Sequence, residues 1–293
     1  MQNRAVSIVA AAGLVFLSLL QARAAEPVNI VASENFYGDV AQQIGGNTVK
    51  VMSILSNPGQ DPHLFEASPA VARSVSKAQI VIYNGIDYDP WMPKLLKGAK
   101  SPGRREIVVA DLVGKKTGDN SHIWYDPATM LALARTLSEA LAEADPANRD
   151  QYEEHFAAFR GSIKPIEDKI TELKGWLEGT PVTATEPVFG YMFQALGMDV
   201  RNKQFQLAIM NGTEPGASDV AAFESDLKDH KVKLLVYNNQ ASTALAARML
   251  KLAKEHNIPV VGVQETEPPG KTYQAWMLGR LEAVGKALPK LTQ

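Results

Sequence analysis

The chain has 293 residues, 45% of them hydrophobic, with 30 basic side chains against 32 acidic ones, which is the make-up of a globular protein of one large domain or two lobes. Balanced charge excludes a dedicated nucleic-acid surface, which needs clustered Lys and Arg to displace counterions. The absence of cysteine excludes a disulfide scaffold, an iron–sulfur or thiolate metal site and a Cys nucleophile, leaving His, Asp and Glu as the strong metal ligands.

Met1 to Ala24 carries Arg4, an apolar run from Ala5 to Leu20, and Ala22-Arg23-Ala24 as a small-x-small exit. This reads as a secretory signal cleaved after residue 24. A membrane anchor is the alternative, but roughly 16 apolar residues fall short of the 20 or so that span a bilayer. With no Cys following, lipid attachment there is not available, and a free periplasmic protein, mildly acidic once Arg4 and Arg23 are removed, is expected.

In the mature part, Val28 to Ser33, Thr48 to Leu55, Gln79 to Asn84 and Glu106 to Ala110 read as strands with helical patterns between them. Pro181 to Thr185, Val232 to Asn238 and Pro259 to Gln264 form a second set. Such alternation predicts an α/β fold with parallel sheets and crossover helices. Ser68 before Pro69, and Asp126 before Pro127, each place an N-cap residue ahead of Pro at the first helical position. Between the two sets, Tyr152, Phe156, Phe159, Ile163, Ile166, Ile170, Leu173 and Leu177 alternate spacings of four and three, a single apolar seam on one long helix. Pro165 should kink it. A coiled-coil dimer would use the same seam, but a lone helix between two α/β halves packs more naturally across both. The expected division is a signal peptide at 1–24, an N-terminal lobe at 25–145, a connecting helix at 146–179 and a C-terminal lobe at 180–293.

Five histidines sort by context. His155 in the long helix, His230 and His256 at helix ends read as solvated side chains. His63, in Asp61-Pro62-His63-Leu64-Phe65-Glu66, and His122, in His122-Ile123-Trp124-Tyr125-Asp126-Pro127, each lie between a strand and a capped helix. Glu186 and Glu265 lie just beyond strand ends in the other half. Crevices of open α/β sheets form at those ends, so two facing lobes would bring the four side chains together. Two neutral imidazoles and two carboxylates make a charge-neutralising N and O set for one divalent transition metal ion. For either Glu alone, capping of the following helix is an equal reading.

The sequence resembles the metal-binding solute-binding proteins that feed zinc, manganese or iron to ABC importers. The resemblance covers the mature chain and rests on Asp61 to Glu66, Asn84-Gly85, His122 to Pro127, the long central helix, Thr185-Glu186-Pro187-Val188-Phe189-Gly190-Tyr191 and the strand ending at Glu265. It implies two lobes joined by a rigid helix, and metal at their interface on four side chains, the first two matching His63 and His122. At the third position zinc-type members have His and manganese- or iron-type members Glu; this chain has Glu186. The fourth position, usually Asp, is matched by Glu265, with Glu267 as the alternative. The His-rich loop common in zinc members is absent from Gly114 to Ser121. Oxygen-rich coordination suits Mn²⁺ or Fe²⁺, while the general affinity order places Zn²⁺ above both. One Mn²⁺ or Zn²⁺, or else Fe²⁺, is the expected cargo, with manganese slightly ahead. An ABC permease is the expected partner and a monomer the expected state.

Two other functions compete. A metal-dependent hydrolase would need an open coordination position and a general base, and no G-x-S-x-G, H-E-x-x-H or P-loop occurs, so no catalytic residue and no enzyme are expected. An adhesion or metal-storage protein could use the same fold. The turn-rich Asn211-Gly212-Thr213-Glu214-Pro215 reads either as structural or as a transporter contact.

Overall fold

The computed structural model describes residues 26–59, 65–240 and 243–290. The leader segment and His63 lie outside the described residues. The first half runs β1 (Val28–Glu34), α1 (Asn35–Gly45), β2 (Val49–Leu55), α2 (Pro69–Lys77), β3 (Ile80–Tyr83), α3 (Trp91–Gly98), β4 (Arg105–Val108), α4 (Val109–Leu112) and α5 (Pro127–Ala144). Then comes α6 (Arg149–Leu177). The second half runs β5 (Pro181–Ala184), α7 (Gly190–Ala195), β6 (Asp199–Val200), α8 (Lys203–Met210), α9 (Ala217–Lys228), β7 (Leu235–Asn238), α10 (Ala244–Glu255), β8 (Val260–Val263) and α11 (Tyr273–Ala287).

The strands form two parallel four-stranded sheets, ordered β2-β1-β3-β4 and β6-β5-β7-β8. The order is the same in both lobes. In each, the chain reverses its direction of growth between the two central strands, which opens a crevice beyond their C-terminal ends. Helices cover both faces, so β3 is buried along its whole length, and its Ile-Val-Ile-Tyr is a continuous apolar run rather than an alternating one.

The predicted caps form: Ser68 Oγ accepts from the Val71 N–H at 3.3 Å, and Asp126 Oδ1 from the Ala128 N–H at 3.0 Å. Two strand ends differ from expectation. Val109 and Ala110 enter α4 instead of extending β4, and the ladder of β7 begins at Leu235, with Val232 buried ahead of it against Phe205 and Phe223. The two-residue β6 has no sequence expectation behind it, since two residues show no periodicity.

The long helix buries Tyr152, Phe159, Ile163, Ile166, Leu173 and Leu177, with Phe156 and Ile170 partly buried in the same seam. It packs on α1 and α5 from the first half and on α11 from the second. It runs unbroken through Pro165, which is exposed together with Gly161, so the carbonyl deprived of its donor faces water. One apolar cluster spans both lobes, from Val28 and Phe36 through Trp124 and Ile163 to Trp276 and Leu281. Among the described residues no helix is long and apolar enough to cross a membrane.

Candidate metal centre

His122 follows β4 and α4 and is fully buried. Asn120 fixes its ring. The Asn120 Nδ2 donates to the Pro187 carbonyl at 2.7 Å, so its Oδ1 must face His122, whose Nδ1 lies 2.7 Å away. An amide oxygen only accepts, so Nδ1 donates to it and Nε2 is the nitrogen turned toward Glu265. That Nε2 has no hydrogen-bond partner among the described residues and stands 3.5 Å from Glu265 Oε2. Trp124 and Tyr88 pack edge-on against the imidazole, with centroids 5.2 and 6.0 Å away. Burial and the charge of Glu265 push the Tyr88 phenol well above its ordinary pKa.

Glu186 lies just past β5 and Glu265 just past β8, and both are buried. Asn238, the last residue of the strand between them, joins the two: its Nδ2 donates to Glu186 Oε2 and to Glu265 Oε1, each at 2.6 Å. Gln240 holds the backbone of the Glu265 segment, its Oε1 accepting from the Glu265 N–H at 2.6 Å and the Thr266 N–H at 3.0 Å.

Glu267 has a different setting. Its backbone exchanges hydrogen bonds with the Asn35 side chain, at 2.9 Å for its N–H and 2.7 Å for its carbonyl. Burial, with the nearby charge of Asp39 on α1, pushes its carboxyl pKa to about 9. It sits on the flank of α1.

Among the described residues no three His, Asp or Glu side chains form a cluster able to hold an ion by themselves. His122, Glu186 and Glu265 are brought together in two links, the contact of His122 with Glu265 and the bridge through Asn238. The remaining histidines stand elsewhere. His155 Nδ1 bonds the Ile44 carbonyl at 2.8 Å, tying α6 to α1 and so doing more than a solvated side chain would. His230 and His256 face each other with centroids 6.4 Å apart. Thr213 bonds back to the Ala208 carbonyl through both its N–H and its hydroxyl, and Gly212 has φ +63°, so Asn211 to Pro215 terminates α8.

Sequence reasoning missed Asn120 and Asn238, and also an acidic group on the other lobe. Glu34, at the end of β1, is fully buried and accepts from the Ser33 hydroxyl; burial and the charge of Asp89 hold its carboxyl well above the usual range. Asp89 accepts from the Asn84 and Gly85 N–H groups at 2.7 and 2.9 Å, yet burial pushes it up to about 6. Asn84 in turn accepts from the Tyr37 hydroxyl at 2.5 Å and donates to the Ser121 carbonyl at 3.0 Å, beside His122.

The lobes also meet through Tyr125, whose hydroxyl donates to the Gln264 carbonyl at 2.8 Å, and Tyr273, whose hydroxyl donates to the Trp124 carbonyl at 2.9 Å. Two parallel-sheet lobes on a shared core, with an imidazole and carboxylates facing each other at the strand ends, describe a solute-binding protein of the metal-importing kind. The family described as "Zinc-uptake complex component A periplasmic" (ZnuA) matches residues 30–287, and the chain belongs to it. Relatives include the metal ABC transporter substrate-binding lipoprotein ScbA of Streptococcus cristatus, 24% identical over 90% of this chain and 89% of that protein. Another is the manganese ABC transporter substrate-binding lipoprotein PsaA of Streptococcus pneumoniae, 22% identical over 90% of each chain. Among solved structures, the periplasmic zinc-binding protein TroA of Treponema pallidum aligns with a TM-score of 0.75 at 16% identity, over 90% of this chain and all of that one. A Mn-bound periplasmic metal-binding protein from Candidatus Liberibacter asiaticus aligns with a TM-score of 0.71 at 21% identity, over 89% of this chain and 99% of its own. The streptococcal relatives are lipoproteins by name, so they lend no support to the expected unanchored form of this chain.

Proposed function

We propose that this protein captures one divalent transition metal ion, Mn²⁺ or Zn²⁺ with Fe²⁺ as a third candidate, between its lobes and hands it to an ABC permease in the cytoplasmic membrane. The proposed ligands are His63, His122, Glu186 and Glu265. The observation that carries this reading is the buried Nε2 of His122 placed 3.5 Å from Glu265 Oε2, with Glu186 tied to the same carboxylate through Asn238. An imidazole nitrogen facing one carboxylate, with a second carboxylate bridged to the first, is a nitrogen and oxygen donor set of the kind a divalent transition metal ion takes. Glu265 is preferred to Glu267 because Glu267 is held against α1 at Asn35.

The fold divides for this purpose into a signal peptide at 1–24, lobes at 25–145 and 180–293, and a connecting segment at 146–179, working as a periplasmic monomer without catalysis. Because α6 packs on both lobes, metal uptake and release proceed by small lobe rotation and loop movement rather than wide hinge bending. Small-angle scattering should show nearly equal radii of gyration with and without metal.

Titration calorimetry should give one ion per chain, with binding that weakens in acid as the imidazoles take up protons. Normal binding by the His63→Ala, His122→Ala double variant would remove this reading. An adhesion or storage role would instead leave growth under metal limitation unaffected by deletion.

A further inference from the structure

Asn238 ends β7, which lies between β5, leading into Glu186, and β8, leading into Glu265. It is 5% exposed. Its amide orientation is fixed, because Oδ1 accepts from the Gln240 backbone N–H at 2.9 Å, leaving Nδ2 to face the carboxylates. The two hydrogens of Nδ2 serve two acceptors, Glu186 Oε2 and Glu265 Oε1, each at 2.6 Å. These two oxygens can therefore be no farther apart than twice that distance. Two ionised carboxylates this close would repel each other, and a double donor is what holds them at this spacing.

We propose that Asn238 is a positioning and specificity-determining residue: it sets the spacing of the two acidic ligands and holds one oxygen of each, so that neither can turn to chelate a metal through both oxygens without disturbing its bond to Asn238. This rests on Glu186 and Glu265 being ligands. With the two imidazoles proposed as ligands above, one oxygen from each carboxylate would complete a set of four donors, which suits tetrahedral Zn²⁺. Mn²⁺ favours six oxygen-rich positions, which the site would approach only if the carboxylates turned to chelate through both oxygens. Asn238 opposes that turn, because it would have to release or bend both of its bonds. The side chain thus pulls against the manganese preference that Glu at the third ligand position implies by family resemblance.

The test uses the full mature chain, stripped of metal and loaded with Co²⁺ as a spectroscopic probe, followed by competition of Zn²⁺ against Mn²⁺. The wild type should show the intense visible bands of four-coordinate Co²⁺. Asn238→Leu, which keeps the branched outline but has no donors, and Asn238→Ser, too small to overfill the site, should both lose them for the weak bands of higher coordination. Their preference for Zn²⁺ over Mn²⁺ should fall by about 10-fold or more, the scale on which residues behind a ligand act. Far-UV circular dichroism of the apo proteins reports whether each variant is folded. A wild-type spectrum with only weak bands overturns the proposal without any variant, and so do folded variants with unchanged spectra and preference. Glu186→Gln and Glu265→Gln separate the two levels. If they bind Co²⁺ as the wild type does, the ligand assignment fails and this inference with it; if they lose binding while the Asn238 variants match the wild type, this inference alone fails.

Discussion

The two sheets have one strand order, and corresponding strand ends carry similar residues put to different uses. Glu34 ends β1 as Glu186 follows β5, and Asn84 follows β3 as Asn238 ends β7. In the second lobe Asn238 donates to Glu186 and to Glu265 and so joins the two. In the first, Glu34 turns to Ser33 and Asp89, and Asn84 reaches across to the Ser121 carbonyl, bracing the segment that carries His122. One acid is bridged to a second acid by a neutral amide; the other is buried beside a second acid, which with burial raises its carboxyl pKa well above the usual range. A strand end therefore supplies only a position, and the neighbours of the residue decide whether it binds or braces.

The sharpest way to break this contrast is to neutralise both acids. Glu186→Gln or Glu265→Gln should weaken metal binding by more than about 100-fold in a chelator competition, beyond what residues behind a ligand usually contribute. Glu34→Gln should leave affinity within a few-fold. Equal losses from Glu34→Gln and Glu186→Gln would mean that the lobes are used alike. A smaller effect is expected from Asn120→Ala, which frees the tautomer and ring orientation of His122 and should cost roughly 10- to 100-fold, read in the same titration.

On stability, Tyr125→Phe removes the hydroxyl that bonds Gln264 across the lobes and leaves a partly buried carbonyl without that donor. Urea unfolding should show a loss of about 1–3 kcal/mol. The last effect is set by pH and concerns Glu34 itself. An acid whose folded pKa is raised makes its full contribution to stability below its unfolded value, near 4.5, and loses it as pH rises toward the folded value. Glu34→Gln should therefore melt close to the wild type at pH 4 and increasingly above it toward pH 9. A gap that widens in acid instead would show that Glu34 is charged in the fold.

Much of this was legible in the sequence. The central strands of both sheets, the caps at Ser68 and Asp126 and the seam of α6 follow from local pattern, because periodicity and capping are properties of short segments. The placing of Glu186 and Glu265 just past β5 and β8 followed in turn, whereas His122 is separated from β4 by α4 and a loop. The strand β6 was not legible, since Asp199-Val200 is too short to show a period. Nor was the break of the β4 run at Val109, where an apolar stretch serves strand and helix equally. Asn120 and Asn238 were hidden because Asn after a strand is just as common as a turn former, and their role appears only once β5, β7 and β8 lie side by side. Glu34 and Glu186 look alike in sequence, and what separates them is Asp89, brought close to Glu34 only by the fold.

The stack behind His122 has an optical consequence. Trp124 lies flat against Phe36 with centroids 4.6 Å apart, meets Tyr88 at 4.8 Å and touches the imidazole edge-on, shielded from water throughout. Its emission should be blue and responsive to whatever His122 holds. Zn²⁺, with a filled d shell, should change the intensity little, whereas an open-shell ion such as Co²⁺ should quench it. The indole therefore serves as a gauge of which kind of ion is aboard, and Trp124→Phe should silence the metal-dependent part of the signal while leaving that of Trp91, Trp176 and Trp276 in place.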